Sequence, residues 1–301
     1  MHDSIHPLLE GIGIAATYLP NIKKEEVADI IHEYEGLIVR SKLFIGEELL
    51  KSASKLKYVC RAGAGIDNLD VEAIEARGIA IINAPEGNRN AVAEHCLGLV
   101  FGLLNNIPKG NSEISQYIWD REGNRGYELS KLKLGIIGYG YMGSAVAEKF
   151  SPLVDEILVF DKYKSGFSDR NIKEGSLENL FNEIDVLSIH VPLTEETKFM
   201  INKSFLKRFK KPIWIINTSR GEVLKLKDLI NEIESGKVQG AALDVLENEK
   251  INSLNDDQKK DFDYLIHSKK VILTPHVAGW SYESYQNINE VLVNKLRREL
   301  S

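Results

Sequence analysis

"LGIIGYGYMG", residues 134–143, reads as a strand that runs straight into a phosphate-binding turn. Gly138, Gly140 and Gly143 stand in a GxGxxG frame that follows an apolar run and opens onto the helix-like "SAVAEKF". Glycines at these places permit a tight turn and close backbone approach, and the helix start presents free amides to a pyrophosphate. The next apolar run, "EILVFD", ends at Asp161, 18 residues past Gly143. A carboxylate there can accept hydrogen bonds from both ribose hydroxyls. It would also repel a 2′-phosphate, so NAD is favoured over NADP, a preference that Lys162 softens.

Outward from this turn the chain keeps a strand–helix rhythm. After "LKLGIIGYG" come "EILVFD", "DVLSIHVP", "IWIINTS", "GAALDVL" and "KVILTPH", the βα alternation of a doubly wound domain. A shorter series precedes it: "GLIVR", "LKYVCRAG" and "IAIINAP", separated by "FIGEELLKSAS" and "NLDVEAIEARG", which again implies a parallel sheet with crossover helices. Between the two series lies a long helical pattern, "NAVAEHCLGLVFGLLNNI" (90–107), ending before Pro108. The last stretch, "SYESYQNINEVLVNKLRREL", spaces its apolar residues for a helix. Residues 248–264 form a polar insertion, expected as surface loop or short helix.

The composition agrees with two globular domains: 301 residues, 43% hydrophobic and 27% charged. A net charge of −6 gives no general attraction to nucleic acid or anionic lipid, so any anionic ligand must be met by local cations. No signal peptide or membrane-length apolar run is evident, which points to the cytoplasm. Cys60 and Cys96 form no metal or redox spacing and read as buried thiols; no metal site is expected.

The stretch "WIINTSRGEV" (214–223) delivers a permanent cation, Arg220, from the end of a strand that reads as buried on both faces. Glu249 just past "AALDVLE" and His276 at the end of "VILTP" occupy equivalent strand ends. Open parallel sheets bind ligands at those ends. Together the three supply a planar fork for a carboxylate, a carboxylate, and a proton carrier that titrates near neutrality.

These motifs, "GYGYMG", "HVPLTEET", "INTSRGEV", "GAALDVLENE" and "TPHVAG", resemble in order the signatures of the D-isomer-specific 2-hydroxyacid dehydrogenases. The resemblance implies two Rossmann-like doubly wound domains: a discontinuous substrate domain, 1–90 plus 277–301, and an NAD-binding domain, 91–276. It implies that Arg220 binds the substrate carboxylate and keto oxygen, that His276 is the acid/base and that Glu249 pairs with His276. Cofactor contacts fall on Gly138, Gly140, Tyr141, Met142, Gly143, Asp161, His190, Val191, Pro192, Thr197, Thr218, Ser219, Asp244, His276 and Gly279, with His190 a wall of the pocket. His95 reads as a packed histidine.

Within the family, "GLIVRSK", "CRAGAGIDNLD" and "NAPEGNRNAVAEH" are most similar to the D-3-phosphoglycerate dehydrogenases of serine biosynthesis. That similarity carries Arg40, Arg61, Ala62, Gly63 and Asn88 onto substrate-contacting positions beside Arg220 and His276, the Gly63–Gly65 loop offering amides to the carboxylate. The alternatives are a glyoxylate/hydroxypyruvate reductase, a 4-phosphoerythronate dehydrogenase or, in another class, an NAD-sensing corepressor-like protein, which turnover would separate. A homodimer through the cofactor domains is also implied. Lys250 stands where the family usually has proline, the segment to His276 is longer than usual, and little precedes "HPLL" where a first strand is expected. With 25 residues after His276, the expectation is a short form lacking a regulatory domain.

Overall fold

The computed structural model describes residues 2–300. The chain is α/β, with two all-parallel sheets in two compact units, one formed by residues up to Asn90 with those from Trp280 on, the other by Ala91–Gly279.

The smaller unit contains β1 (Gly36–Val39), β2 (Tyr58–Arg61) and β3 (Ala80–Asn83), in that spatial order. Alternate side chains serve opposite faces, as strand geometry requires. Val59 and Ile79 pack with Val27 of the helix ahead of β1 and with Leu49 and Ile74 of the helices between the strands, whereas Cys60 and Ile82 pack against Ile288, Leu292 and Leu296 of the Tyr282–Glu299 helix. That helix lies so close to the turn after β3 that a Cβ on Gly87 would come 2.6 Å from the backbone of Ile288. Lys295 Nζ completes the junction by donating to the carbonyl of Asn83 and to Glu86, at 3.0 and 2.8 Å. Ahead of β1 the described residues form helices, starting with Ile5–Glu10, and no strand.

The larger unit holds β4 (Lys133–Ile137), β5 (Glu156–Phe160), β6 (Ile172–Glu174), β7 (Val186–Ile189), β8 (Ile213–Asn217), β9 (Val238–Leu243) and β10 (Val271–Leu273). Their order is β10-β9-β8-β7-β4-β5-β6, so the direction of winding reverses between β4 and β7. All five residues of β8 are buried, with Trp214 and Ile216 entering one core and Ile213 and Ile215 the other. Two-sided burial is what the continuous apolar runs foretell. Cys60 is buried in the smaller unit and Cys96 in the larger, and burial pushes each thiol up to about 12.

Several local outcomes differ from the sequence reading. The helical pattern at 90–107 divides into Arg89–Leu104 and Ile107–Ser115, because Asn106 adopts φ 52 and Pro108 is accommodated in the first turn of the second helix. The polar insertion contains a full helix, Asp256–His267, opened by a capping box between Asn255 and Gln258. Residues 277–279, expected with the last helix, cluster with the larger unit, where the N–H groups of Val277 and Ala278 donate to Asp244. Among the described residues no helix is long and apolar enough to cross a membrane.

Candidate active site

The glycine turn sits at the winding reversal. Gly138 has φ 93, and a Cβ there would lie 2.4 Å from the carbonyl oxygen of His190, just beyond the neighbouring β7. A Cβ on Gly143 would fall 1.9 Å from the Gly138 carbonyl, so the protein's own packing requires glycine at both places. Gly140 differs: it is the N-cap of the Tyr141–Phe150 helix, no side chain caps that end, and a Cβ there would meet nothing within 4 Å. The open space at this uncapped helix start fits a pyrophosphate.

Asp161 follows β5, its Oδ2 accepting from the N–H of Tyr139 at 2.6 Å and its Oδ1 from Tyr163 and Lys164 at 2.8 and 2.9 Å. Burial pushes this carboxyl up, but the backbone donors and the Lys164 charge outweigh it and hold the group below the ordinary aspartate value. The carboxylate is therefore ionised at neutral pH and held at the end of β5 by these backbone donors. Lys162 is turned to Glu196, Nζ to Oε1 at 2.5 Å, so a carboxylate offsets the cation that could favour a 2′-phosphate. Asp161→Ser is expected to weaken NAD binding and narrow the gap to NADP, because ribose hydrogen bonds and phosphate repulsion go together. Fluorescence titration with NADH and NADPH checks this; an unchanged ratio would show that another group reads the ribose.

The other expected cofactor contacts divide between outward and inward roles. Tyr141 is exposed, and Met142 and Val191 are half-buried against the two cores. His190 is buried with Nε2 2.7 Å from Ser188 Oγ, and burial pushes its pKa down to about 4, so the ring is neutral and no proton carrier at pH 7. The Thr197 hydroxyl pins its own turn by donating to the Pro192 carbonyl at 2.6 Å. Thr218 Oγ1 lies 3.4 Å from Cys96 Sγ, and the Ser219 hydroxyl donates to Asn217 Oδ1 at 2.8 Å.

Arg220, Glu249 and His276 emerge beyond β8, β9 and β10. The buried Asn217 shapes the first of these turns, its Nδ2 donating to the Arg220 carbonyl at 3.0 Å. Arg220 Nη1 donates to the Ser219 carbonyl at 2.7 Å. His276 Nδ1 lies 2.9 Å from Glu249 Oε2. That hydrogen bond is the main reason the His276 pKa is raised; burial opposes it, as does the positive charge of Arg220. The structure thus joins Glu249 and His276 directly and sets Arg220 within electrostatic reach of the imidazole.

Asp244 works inward rather than toward an open pocket. It is 1% exposed, and its oxygens accept from Thr274 Oγ1 at 2.5 Å, Val277 N at 2.9 Å and Ala278 N at 2.8 Å. The backbone N–H of His276 donates to the Asp244 carbonyl at 2.9 Å, which holds His276 at φ 55, a left-handed conformation uncommon for a residue with a side chain. His95 Nε2 is 3.0 Å from Thr274 Oγ1, which makes His95 part of this support. Gly279 ends the same turn.

In the smaller unit, Val39, Arg61 and Asn83 are in register across β1, β2 and β3, so Arg40 and Arg61 leave the same sheet edge. The Arg61 guanidinium folds back over Gly63, whose missing Cβ would fall 1.5 Å from Nη1. Gly63, at φ 149, spends its N–H on the Arg61 carbonyl at 2.9 Å, so this amide is already committed; Ala62 is buried. Arg40 Nη1 and Asn88 Oδ1 are buried without a hydrogen-bond partner. The Arg40 guanidinium carbon is 4.3 Å from the Trp280 ring centre and 4.8 Å from that of Tyr285. Neither aromatic ring is marked by the sequence: Tyr285 falls within the terminal helix pattern and Trp280 just ahead of it.

Residues 97–278 match the family model described as D-isomer specific 2-hydroxyacid dehydrogenase, NAD binding domain. The chain is 34% identical over 280 residues to a D-3-phosphoglycerate dehydrogenase of Synechocystis sp., covering 92% of this chain and 49% of that protein. It is 32% identical over 280 residues to a hydroxypyruvate reductase of Thermotoga maritima, covering 93% and 89%. A solved D-lactate dehydrogenase from Aquifex aeolicus, complexed with NAD and lactic acid, superposes with a TM-score of 0.84 at 26% identity over 100% of this chain and 93% of that one. The chain spans about half the length of several of the phosphoglycerate dehydrogenases it resembles.

Proposed function

Because the chain belongs to the D-isomer-specific 2-hydroxyacid dehydrogenases and contains their NAD-binding domain, we propose that it interconverts a D-2-hydroxy acid and its 2-keto acid, with 3-phosphoglycerate and 3-phosphohydroxypyruvate as the pair. The observation that carries the choice of substrate is the exit of Arg40 and Arg61 from neighbouring strand ends of one sheet edge. Arg220 accounts for one anionic group, and a substrate bearing both carboxylate and phosphate needs further cations.

The glycine turn and Asp161 would hold NAD, which would supply the hydride in reduction and accept it in oxidation. Arg220 orients the carboxylate with its planar fork and polarises the keto oxygen. His276 donates a proton to that oxygen in reduction and takes it back in oxidation, while Glu249 stabilises the charged imidazole. Asp244 and Thr274 hold the backbone that aims His276.

The reading brings with it a place in serine biosynthesis, in the cytoplasm, and a homodimer. For the last, Ile107, Ile114, Tyr117, Ile118 and Trp119 form an exposed apolar run on one helix and the loop after it, Tyr117 being 100% exposed, as suits a surface covered by a second copy.

A second reading, hydroxypyruvate reduction, is favoured by the 89% coverage of the Thermotoga maritima protein. Arg61→Ala separates the two. Losing one charge-assisted bond to phosphate costs about 1.5–3 kcal/mol, so the KM for phosphohydroxypyruvate is expected to rise about ten- to a hundredfold with little change for hydroxypyruvate. Equal losses in steady-state assays with NADH would make the hydroxypyruvate reading the better one.

A further inference from the structure

We propose that Trp280 and Tyr285 are positioning residues that hold Arg40 as the reader of a phosphate monoester on the substrate. This rests on the phosphorylated substrate proposed above. Arg40 directly follows β1, and its backbone carbonyl is fixed by Asn68 Nδ2 at 2.9 Å. Its guanidinium lies against two rings whose centres are 5.1 Å apart and tilted by 36°. Both distances are within the range of cation–π attraction, which favours arginine stacked flat on an aromatic face. Tyr285 also hydrogen-bonds to the Arg40 side chain, which leaves the remaining N–H groups of the guanidinium for a ligand. One of them, Nη1, is buried and bonded to nothing.

Among the described residues, no carboxylate forms an ion pair with Arg40. Burial of this cation disfavours its charge and is only partly compensated by Tyr285. Such a group is completed by an incoming anion, and a planar fork matches two phosphate oxygens. The aromatic rings take the place that a carboxylate would otherwise occupy: they orient the cation without neutralising it. Asn88, with its buried and unbonded Oδ1, lies in the same unit and could accept from a substrate hydroxyl.

The test compares wild type, Trp280→Leu, Trp280→Phe and Arg40→Ala in the NADH-dependent reduction of phosphohydroxypyruvate and of hydroxypyruvate. Trp280 is 58% exposed, so its loss leaves the core intact. Trp280→Leu is expected to raise the KM for phosphohydroxypyruvate about three- to tenfold, with kcat and the KM for hydroxypyruvate unchanged, and Trp280→Phe to restore most of the loss. An equal shift for both substrates, or none for either, overturns the clamp. If the wild type reduces neither substrate, the proposed function falls, and the clamp is then read by titrating the protein with inorganic phosphate. A saturable change in tryptophan emission that disappears in Arg40→Ala supports it, and no saturable change overturns it.

Discussion

Replacing His276 by asparagine is expected to lower turnover by about 10²- to 10⁴-fold while leaving NADH binding intact, because the proton carrier is lost and the glycine turn is untouched. Asparagine is the suitable replacement: His276 sits at φ 55, a conformation asparagine tolerates better than most residues, so the backbone held by Asp244 is kept. Steady-state rates and NADH fluorescence titration measure the two quantities, and near-normal turnover would remove His276 from the mechanism. The pH profile gives a second reading of the same site. Glu249 raises the His276 pKa, so the imidazolium persists to higher pH than in free histidine. Reduction uses the imidazolium and fades as pH rises through that raised pKa; oxidation uses the neutral ring and fades as pH falls through it. Glu249→Gln removes the main cause of the elevation, so both profiles should move to lower pH together. Profiles that stay in place would show that another group governs them.

Arg220→Ala is expected to lower kcat/KM for phosphorylated and unphosphorylated 2-keto acids alike. Two charge-assisted hydrogen bonds to the 2-keto acid group, each about 1.5–3 kcal/mol, correspond to roughly 10²- to 10⁴-fold. Arg220→Lys should recover only part of this, since a single ammonium does not reproduce the fork. A loss confined to the phosphorylated substrate would move the phosphate site to Arg220 and require a different holder for the keto acid.

Much of this architecture is legible in the chain because local chemistry dictates it. Gly138 and Gly143 are demanded by close backbone approach, and the five buried residues of β8 appear as a continuous apolar run. Where the signal is weak, the chain does not reveal the element. β6 is three residues, Ile172–Glu174, of which only Ile172 is buried, so neither length nor periodicity marks it. The break at Asn106 lies in a backbone angle that the apolar pattern does not record. Contacts between distant residues are hidden for a different reason: Lys162 meets Glu196, and Arg40 meets Trp280, only after folding. The inward role of Asp244 is of this kind too, since a strand-end aspartate looks the same in sequence whether it faces a ligand or a neighbouring loop.

The two buried thiols bear on how the protein can be studied. Because thiolate is the reactive form, groups pushed up to about 12 stay almost wholly protonated at neutral pH and react little with maleimides. A cysteine introduced at an exposed position, such as Lys51 in the smaller unit or Lys207 in the larger, would then be the one site to take up a dye. Single-site labelling, and paired labels for distance measurements in solution, can therefore be done without first removing either native cysteine.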